Sequence, residues 1–314
     1  MTREERFSFM SADGKTMIDA VKWIPESGEY HGILQISHGM VEFIDRYKKF
    51  AEFVNDQGFL VVGHTHLGHG SSVQSKDDWG YFADKDSANV LINDMHTLRT
   101  MIQKENPGVP YVMLGPSMGS FLLRRYLTVY SDNLRGAIIM GTGCIPDVAS
   151  KLGVTLCKLL AVVFGWRHRS KFVHSMAFGG AYKKFDMDGT NPENSWLCRD
   201  VEIVKRYYSE ERCGFTFTLN GFHMLMDTVH YVNQLENVKK TPTKLPLFII
   251  SGQNDPVGDL GEGVKKVYYL YDQAGMKDVT YKLYENDRHE LINEPDKEVI
   301  FNDIVSWMEV RITT

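Results

Sequence analysis

Gly115-Pro116-Ser117-Met118-Gly119 sets one serine between two glycines, directly after the apolar run Tyr111–Leu114 and before a stretch with helical spacing. A hydroxyl in that position can serve as a nucleophile. A strand that turns straight into a helix needs the glycines, because a side chain there would meet neighbouring backbone. The serine then stands at a helix N-terminus, where free N–H groups and the helix dipole favour an oxyanion. Such a serine needs a base, and the base needs a carboxylate to orient it. Two later loops offer them. Leu245–Ser251 ends in Gly252-Gln253-Asn254-Asp255-Pro256, and Val279–Tyr284 leads to Asn286-Asp287-Arg288-His289-Glu290. Asp255 and His289 are the candidate acid and base. Asp287 competes as the carboxylate, but it lies too near His289 in sequence to suit the outer imidazole nitrogen. The run Gly32–Ser37 ends in His38-Gly39-Met40. Its Met40 N–H would complement the Met118 N–H as a second oxyanion donor, with His38 bracing the loop.

A rival constellation is His64-Thr65-His66-Leu67-Gly68-His69, where three imidazoles at H-x-H-x-x-H spacing could hold a metal for hydrolysis. Gly68 stands where a metal-binding Asp would be wanted, and no second ligand cluster follows at suitable places. The expectation is a glycine-rich loop without metal. Gly141-Thr142-Gly143 continues to Pro146, so a dinucleotide fingerprint is incomplete, and no phosphate loop of the G-x-x-x-x-G-K-S/T type occurs. No cofactor is expected. A third reading is a ligand-binding protein without catalysis, against which the complete Ser/Asp/His set argues.

The elements that must position these residues follow from the pattern. Short apolar runs occur near Phe7–Met10, Met17–Ile24, Gly32–Ser37, Phe59–Gly63, Tyr111–Leu114, Leu134–Met140, Leu245–Ser251 and Val279–Tyr284. Helical spacing marks Asp86–Lys104, Ser120–Tyr130, Gly263–Ala274 and Lys297–Val310. Alternating strands and helices predict an α/β fold with an eight-stranded, mostly parallel, doubly wound sheet, and ligands bound beyond the carboxyl ends of the strands. Asp13-Gly14 predicts an initial hairpin at one edge.

The alternation fails between Cys144 and Leu235. A helical cap is expected there, inserted after the sixth strand, so that residues 1–143 and 236–314 form the core and residues 144–235 the cap. Within it, Met176, Phe178, Phe222, Met224, Leu225 and Met226 are the expected lining of an acyl pocket, methionine being suited to irregular apolar ligands. The run Leu152–Trp166, followed by Arg167, His168, Arg169 and Lys171, is too short to span a bilayer. A buried helix is the expectation, with transient contact with a lipid surface as the alternative.

The chain has 314 residues, with 35 Lys plus Arg against 40 Asp plus Glu, a formal charge of −5. That balance carries no footprint for a nucleic-acid partner. Four cysteines form neither a disulfide framework nor a CxxC metal pattern. The first residues are charged where a signal peptide would need an apolar core, so a cytoplasmic location is expected.

The sequence resembles the α/β-hydrolases of the monoacylglycerol lipase and lysophospholipase type, over nearly its whole length. His38-Gly39-Met40-Val41-Glu42 with Arg46-Tyr47 is similar to the family's oxyanion segment, and His66-Leu67-Gly68-His69-Gly70 with Ser72 to its glycine-rich loop. Gly115–Gly119, Asp255 and His289 match its nucleophile turn, acid and base, and Trp196-Leu197-Cys198-Arg199-Asp200 a segment of its cap. Pro116, Thr65 and Phe43 depart from the residues usual there. The resemblance implies a metal-independent serine esterase acting on monoacylglycerols, lysophospholipids or similar acyl esters through an acyl-enzyme on Ser117.

Overall fold

The computed structural model describes residues 2–313. In chain order its elements are β1 (Arg3–Met10), β2 (Met17–Ile24), β3 (Gly32–Ser37), α1 (Lys48–Asp56), β4 (Phe59–His64), α2 (Ser87–Glu105), β5 (Tyr111–Pro116), α3 (Met118–Leu127) and β6 (Leu134–Met140). Then come α4 (Asp147–Phe164), α5 (Lys171–Ala177), α6 (Val201–Ser209), α7 (Leu219–Val232), α8 (Leu235–Val238), β7 (Leu247–Gly252), α9 (Glu262–Gln273), β8 (Val279–Tyr284) and α10 (Lys297–Ile312).

The eight strands form one sheet in the order β1-β2-β4-β3-β5-β6-β7-β8. The hairpin strand β2 pairs antiparallel with both β1 and β4, and every other pairing is parallel. Every residue of β3, β4, β5 and β7 is buried, because both faces of the sheet are covered. Alternate side chains feed two cores. Ile33, Leu60 and Met113 pack with Leu91, Leu122 and Val264 of α2, α3 and α9. Leu34, Val61 and Leu114 pack with Phe50 and Val54 of α1 and with Phe301 and Trp307 of α10.

The parallel strands bring the loops after β3, β5, β7 and β8 to one edge of the sheet. β1 starts at Arg3, before the apolar run expected from Phe7, and two other boundaries differ from the sequence expectation for local reasons. α3 begins at Met118, with no residue between it and Ser117, and β7 begins after Pro246, which has no N–H for the ladder. The helix α1 carries no sequence expectation; it buries only Phe50, Ala51, Val54 and Asn55 over nine residues.

Between β6 and β7 lie α4 to α8 and no strand of the sheet. Arg199, just before α6, ties this segment to the loop after β8 by ion pairs with Asp287, Glu294 and Asp296. The expected burial of α4 is not what the structure shows. Only Ser150, Cys157 and Ala161 of this helix are buried. Val162 is 86% and Val163 72% exposed, and Val148, Leu152, Leu159 and Phe164 are also exposed. The helix carries apolar residues all round, and only the side turned to α7 meets an opposing surface. Part of the basic cluster beyond it faces the core instead: Arg167 pairs with Asp78 and lies over the Tyr81 ring, and Arg169 donates to the carbonyls of Thr216 and Asp77.

Candidate active site

Ser117 caps α3 with φ 53° and ψ −124°, a conformation that costs a non-glycine residue free energy. Backbone bonds hold it there. Ser117 N donates to Met140 O at 2.9 Å, and Ser120 donates to Ser117 O through both its amide and its hydroxyl. The flanking glycines are required by contact. A Cβ on Gly115 would lie 2.3 Å from Gly119 O, and one on Gly119 would lie 1.7 Å from Ser37 O. Pro116 ends β5 opposite Met140, and the ladder resumes at once through Ser117 N, so the missing N–H leaves the turn intact.

The loop after β3 lies against this turn: a Cβ on Gly39 would be 3.0 Å from Ser117 Cβ. Met118 opens α3, and its amide has no carbonyl one turn earlier in the helix to bond. Met40 and Met118 both border the cavity that Ser117 faces. His38 is fully buried and uses both ring nitrogens on backbone, Nδ1 toward Gly39 O at 2.8 Å and Nε2 accepting from His66 N at 2.8 Å. It braces the loop.

His289 is 6% exposed and Asp255 fully buried. His289 Nδ1 lies 3.0 Å from both carboxylate oxygens of Asp255, which leaves Nε2 for the cavity. Asp255 also accepts from Ser251 Oγ at 2.9 Å and from Val257 N at 2.8 Å, so its orientation is set from three sides. Burial disfavours the imidazolium, but the Asp255 charge and hydrogen bond, with Glu290 and Glu42, outweigh it and raise the His289 pKa above its ordinary value. Asp287 turns away from this pair, to Arg199.

A buried ion network joins the two halves of the site. Glu42 accepts from Gly39 N, from Tyr47 Oη at 2.7 Å and from Arg46 at 2.6 Å. Arg46 also forms a bidentate pair with Glu290, next to His289, at 2.7 Å for both bonds. Burial raises the Glu42 pKa, whereas at Glu290 the Arg46 guanidinium overcomes the burial and lowers it. Sequence reasoning noted Glu42 and Arg46 but missed Glu290 as their partner, which stands next to His289 in the chain.

A sequence model of the family described as "Serine aminopeptidase, S33" matches residues 28–296, which takes in the serine turn, both oxyanion candidates, Asp255 and His289. The chain belongs to the serine aminopeptidase S33 family. It is similar to a monoacylglycerol lipase of Mycolicibacterium smegmatis, 24% identical over 98% of this chain and 97% of that protein. A monoglyceride lipase of Mus musculus is 25% identical over 96% of this chain and 90% of its own. Among solved structures, a thermostable carboxyl esterase from Bacillus coagulans, in complex with glycerol, superposes with a TM-score of 0.90 and 29% identity, over 99% of this chain and all of that one.

In this S33 hydrolase the three histidines of the rival reading form a buried layer behind the oxyanion loop, and they do not converge as ligands. Among the described residues, the group of His, Cys, Asp and Glu side chains with ligand atoms mutually within 4.8 Å is Asp287, Glu294 and Asp296, which Arg199 already engages. His66 Nε2 meets Ser37 Oγ at 3.1 Å, and His69 Nδ1 meets Leu67 O at 3.3 Å. Burial pushes the His64 pKa down to about 3 and that of His69 to about 4. This arrangement does not favour a metallohydrolase.

Beyond Ser117 opens a cavity of about 500 Å3. Met176, Phe178, Leu225 and Met226 line it, as do Leu152, Leu156 and Val229. Phe222 and Met224 lie elsewhere. Phe222, one turn earlier on α7, is covered by Phe217 and His174, and Met224 points into the core beside Thr228. Tyr182 and Trp196 also border the cavity.

Proposed function

We propose that the protein hydrolyses carboxylic esters with apolar acyl chains, monoacylglycerols or lysophospholipids being the fitting class, through an acyl-enzyme on Ser117. One observation carries this reading: a strained serine, an imidazole oriented by a buried carboxylate and two candidate oxyanion amides border one apolar cavity. In this reading Ser117 Oγ attacks the ester carbonyl as His289 Nε2 takes its proton. Asp255 holds the imidazolium, and the Met40 and Met118 amides bind the oxyanion. His289 then protonates the departing alcohol, and water repeats the sequence to release the acid. An aminopeptidase reading would need a carboxylate for the substrate's ammonium group. Of the carboxylates bordering the cavity, Glu42 and Glu290 are both engaged by Arg46, which leaves only the exposed Asp259. The relatives named as lipases and esterases support the same class.

The segment spanning 144–235 acts in this proposal as a lid over the strand ends. The exposed apolar side chains of α4, with Phe172 and Met176 of α5, would rest on a lipid surface, while Ala149, Leu152 and Leu156 of the same helix border the cavity. A substrate could then pass from the surface into the site without crossing water. No helix among the described residues is long and apolar enough to cross a membrane.

Turnover of a p-nitrophenyl ester panel from acetate to palmitate tests the reaction. Labelling by a serine-directed phosphonate tests the nucleophile. Wild-type protein should take the label and Ser117→Ala should not; equal labelling of both overturns the assignment. Co-sedimentation with phosphatidylcholine vesicles tests the surface contact.

A further inference from the structure

His289 is held on its ring face as well as at its nitrogen. The indole of Trp196 stacks on the imidazole, with centroids 4.9 Å apart and planes inclined by 28°. The same two segments are joined through the main chain: His289 N donates to Trp196 O at 3.4 Å and Glu290 N to Leu197 O at 2.6 Å. The indole is itself fixed before it meets the imidazole. Its Nε1 donates to Tyr208 Oη at 3.3 Å, and it packs against Tyr182 at 5.6 Å and Phe178 at 6.2 Å.

We propose that Trp196 is a positioning residue for the general base, holding the imidazole plane in line with Asp255 and stabilising the imidazolium that forms as Ser117 attacks. The inference rests on the Ser117, Asp255 and His289 reading given above. A single hydrogen-bonding direction, Nδ1 to Asp255, leaves the ring free to swing about that axis, and any swing carries Nε2 away from the hydroxyl. A flat ring stacked on the imidazole removes that freedom. The face of an indole also attracts a cation within about 6 Å of its centroid, so the stack favours the charged form of the imidazole over the neutral one.

The charged and titratable groups facing His289 are Asp255 after β7, Glu290 on its own loop, and Glu42 from the loop after β3, with Arg46 between the two glutamates. The Tyr182 phenol lies near enough to Asp255 to feel its charge. The attractions toward the imidazolium outweigh burial at this site. Replacing the indole by a side chain of similar apolar bulk keeps the site dry but deletes the ring face that attracts the imidazolium, so the acid limb of the pH profile should move to lower pH.

The experiment compares wild type, Trp196→Phe and Trp196→Met for kcat, KM and the pH dependence of kcat/KM on a p-nitrophenyl ester, with circular dichroism to check folding. Trp196→Met keeps apolar bulk without a ring and should lower kcat by about tenfold, with little change in KM and the acid limb displaced downward. Trp196→Phe should recover most of kcat and return the limb toward the wild-type position. If Trp196→Met does not fold, the smaller displacement expected for Trp196→Phe decides. A folded Trp196→Met with unchanged kcat and limb, or with raised KM alone, overturns the inference. A wild-type protein that neither turns over esters nor takes the phosphonate overturns the underlying reading instead, and the inference with it.

Discussion

The turn around Ser117 and the helix α4 are both built from small and apolar residues, yet the fold uses them in opposite ways. At the turn every neighbour is in contact: a single methyl group on Gly119 would lie 1.7 Å from a carbonyl oxygen. On α4 one side packs along α7, but Val162 on the other is 86% exposed. Apolar sequence reveals that a surface will avoid water. It does not reveal whether the cover is the rest of the chain or something outside it. The turn is fixed by its own protein, whereas α4 presents a face that the described residues leave uncovered.

The comparison can be broken at the rigid end first. Asp255→Asn keeps the shape of the site but removes the charge that orients His289, and kcat for ester hydrolysis should fall by about 10⁴-fold with the fold unchanged by circular dichroism. Arg46→Met comes next. It leaves the buried Glu42 and Glu290 without their shared cation, and should cost about 3–5 kcal/mol in urea unfolding. The loss should be larger at pH 8 than at pH 5, because acid allows one carboxylate to be neutralised.

The histidine layer behind the oxyanion loop gives an effect spread gradually over pH. His38, His64, His66 and His69 are all held neutral by burial, with pKa values below the ordinary 6.5. In the unfolded chain they would bind protons as the pH falls below about 6.5. Stability should therefore decline from there toward pH 4, by up to about 1.4 kcal/mol per pH unit for each imidazole. A flat unfolding midpoint between pH 7 and pH 5 would contradict the arrangement. At the far end, the double change Val162→Ser and Phe164→Ser should shift stability by no more than about 0.5 kcal/mol. It should nevertheless weaken vesicle binding, and if vesicle binding is untouched, α4 is not the contacting face.

The sheet and the candidate triad were legible because their signals are local. Most strands are short apolar runs, and the serine, aspartate and histidine each follow a strand. What escaped is what depends on distant neighbours. Arg46 meets Glu290 across 244 positions in the chain, and no local pattern announces that pair. The same holds for Phe222, whose type and spacing match those of Leu225 and Met226 but whose place is taken up by Phe217 and His174. α1 escaped for the opposite reason: it is short, and three apolar contacts hold it. Trp196 stood in a recognised segment, yet only the fold brings its ring to His289.

The pair between Arg46 and Glu290 also joins distant parts of the chain into one site. The serine, its strained turn and the loop after β3 all precede α4 in the chain. Glu290 and His289 follow the last strand. Without the loop after β8, Ser117 would have no candidate base beside it, and Arg46 would keep only Glu42 of its two partners. In the proposed mechanism the base therefore stands beside the serine only when β8 is docked on β7 and the guanidinium joins the two loops.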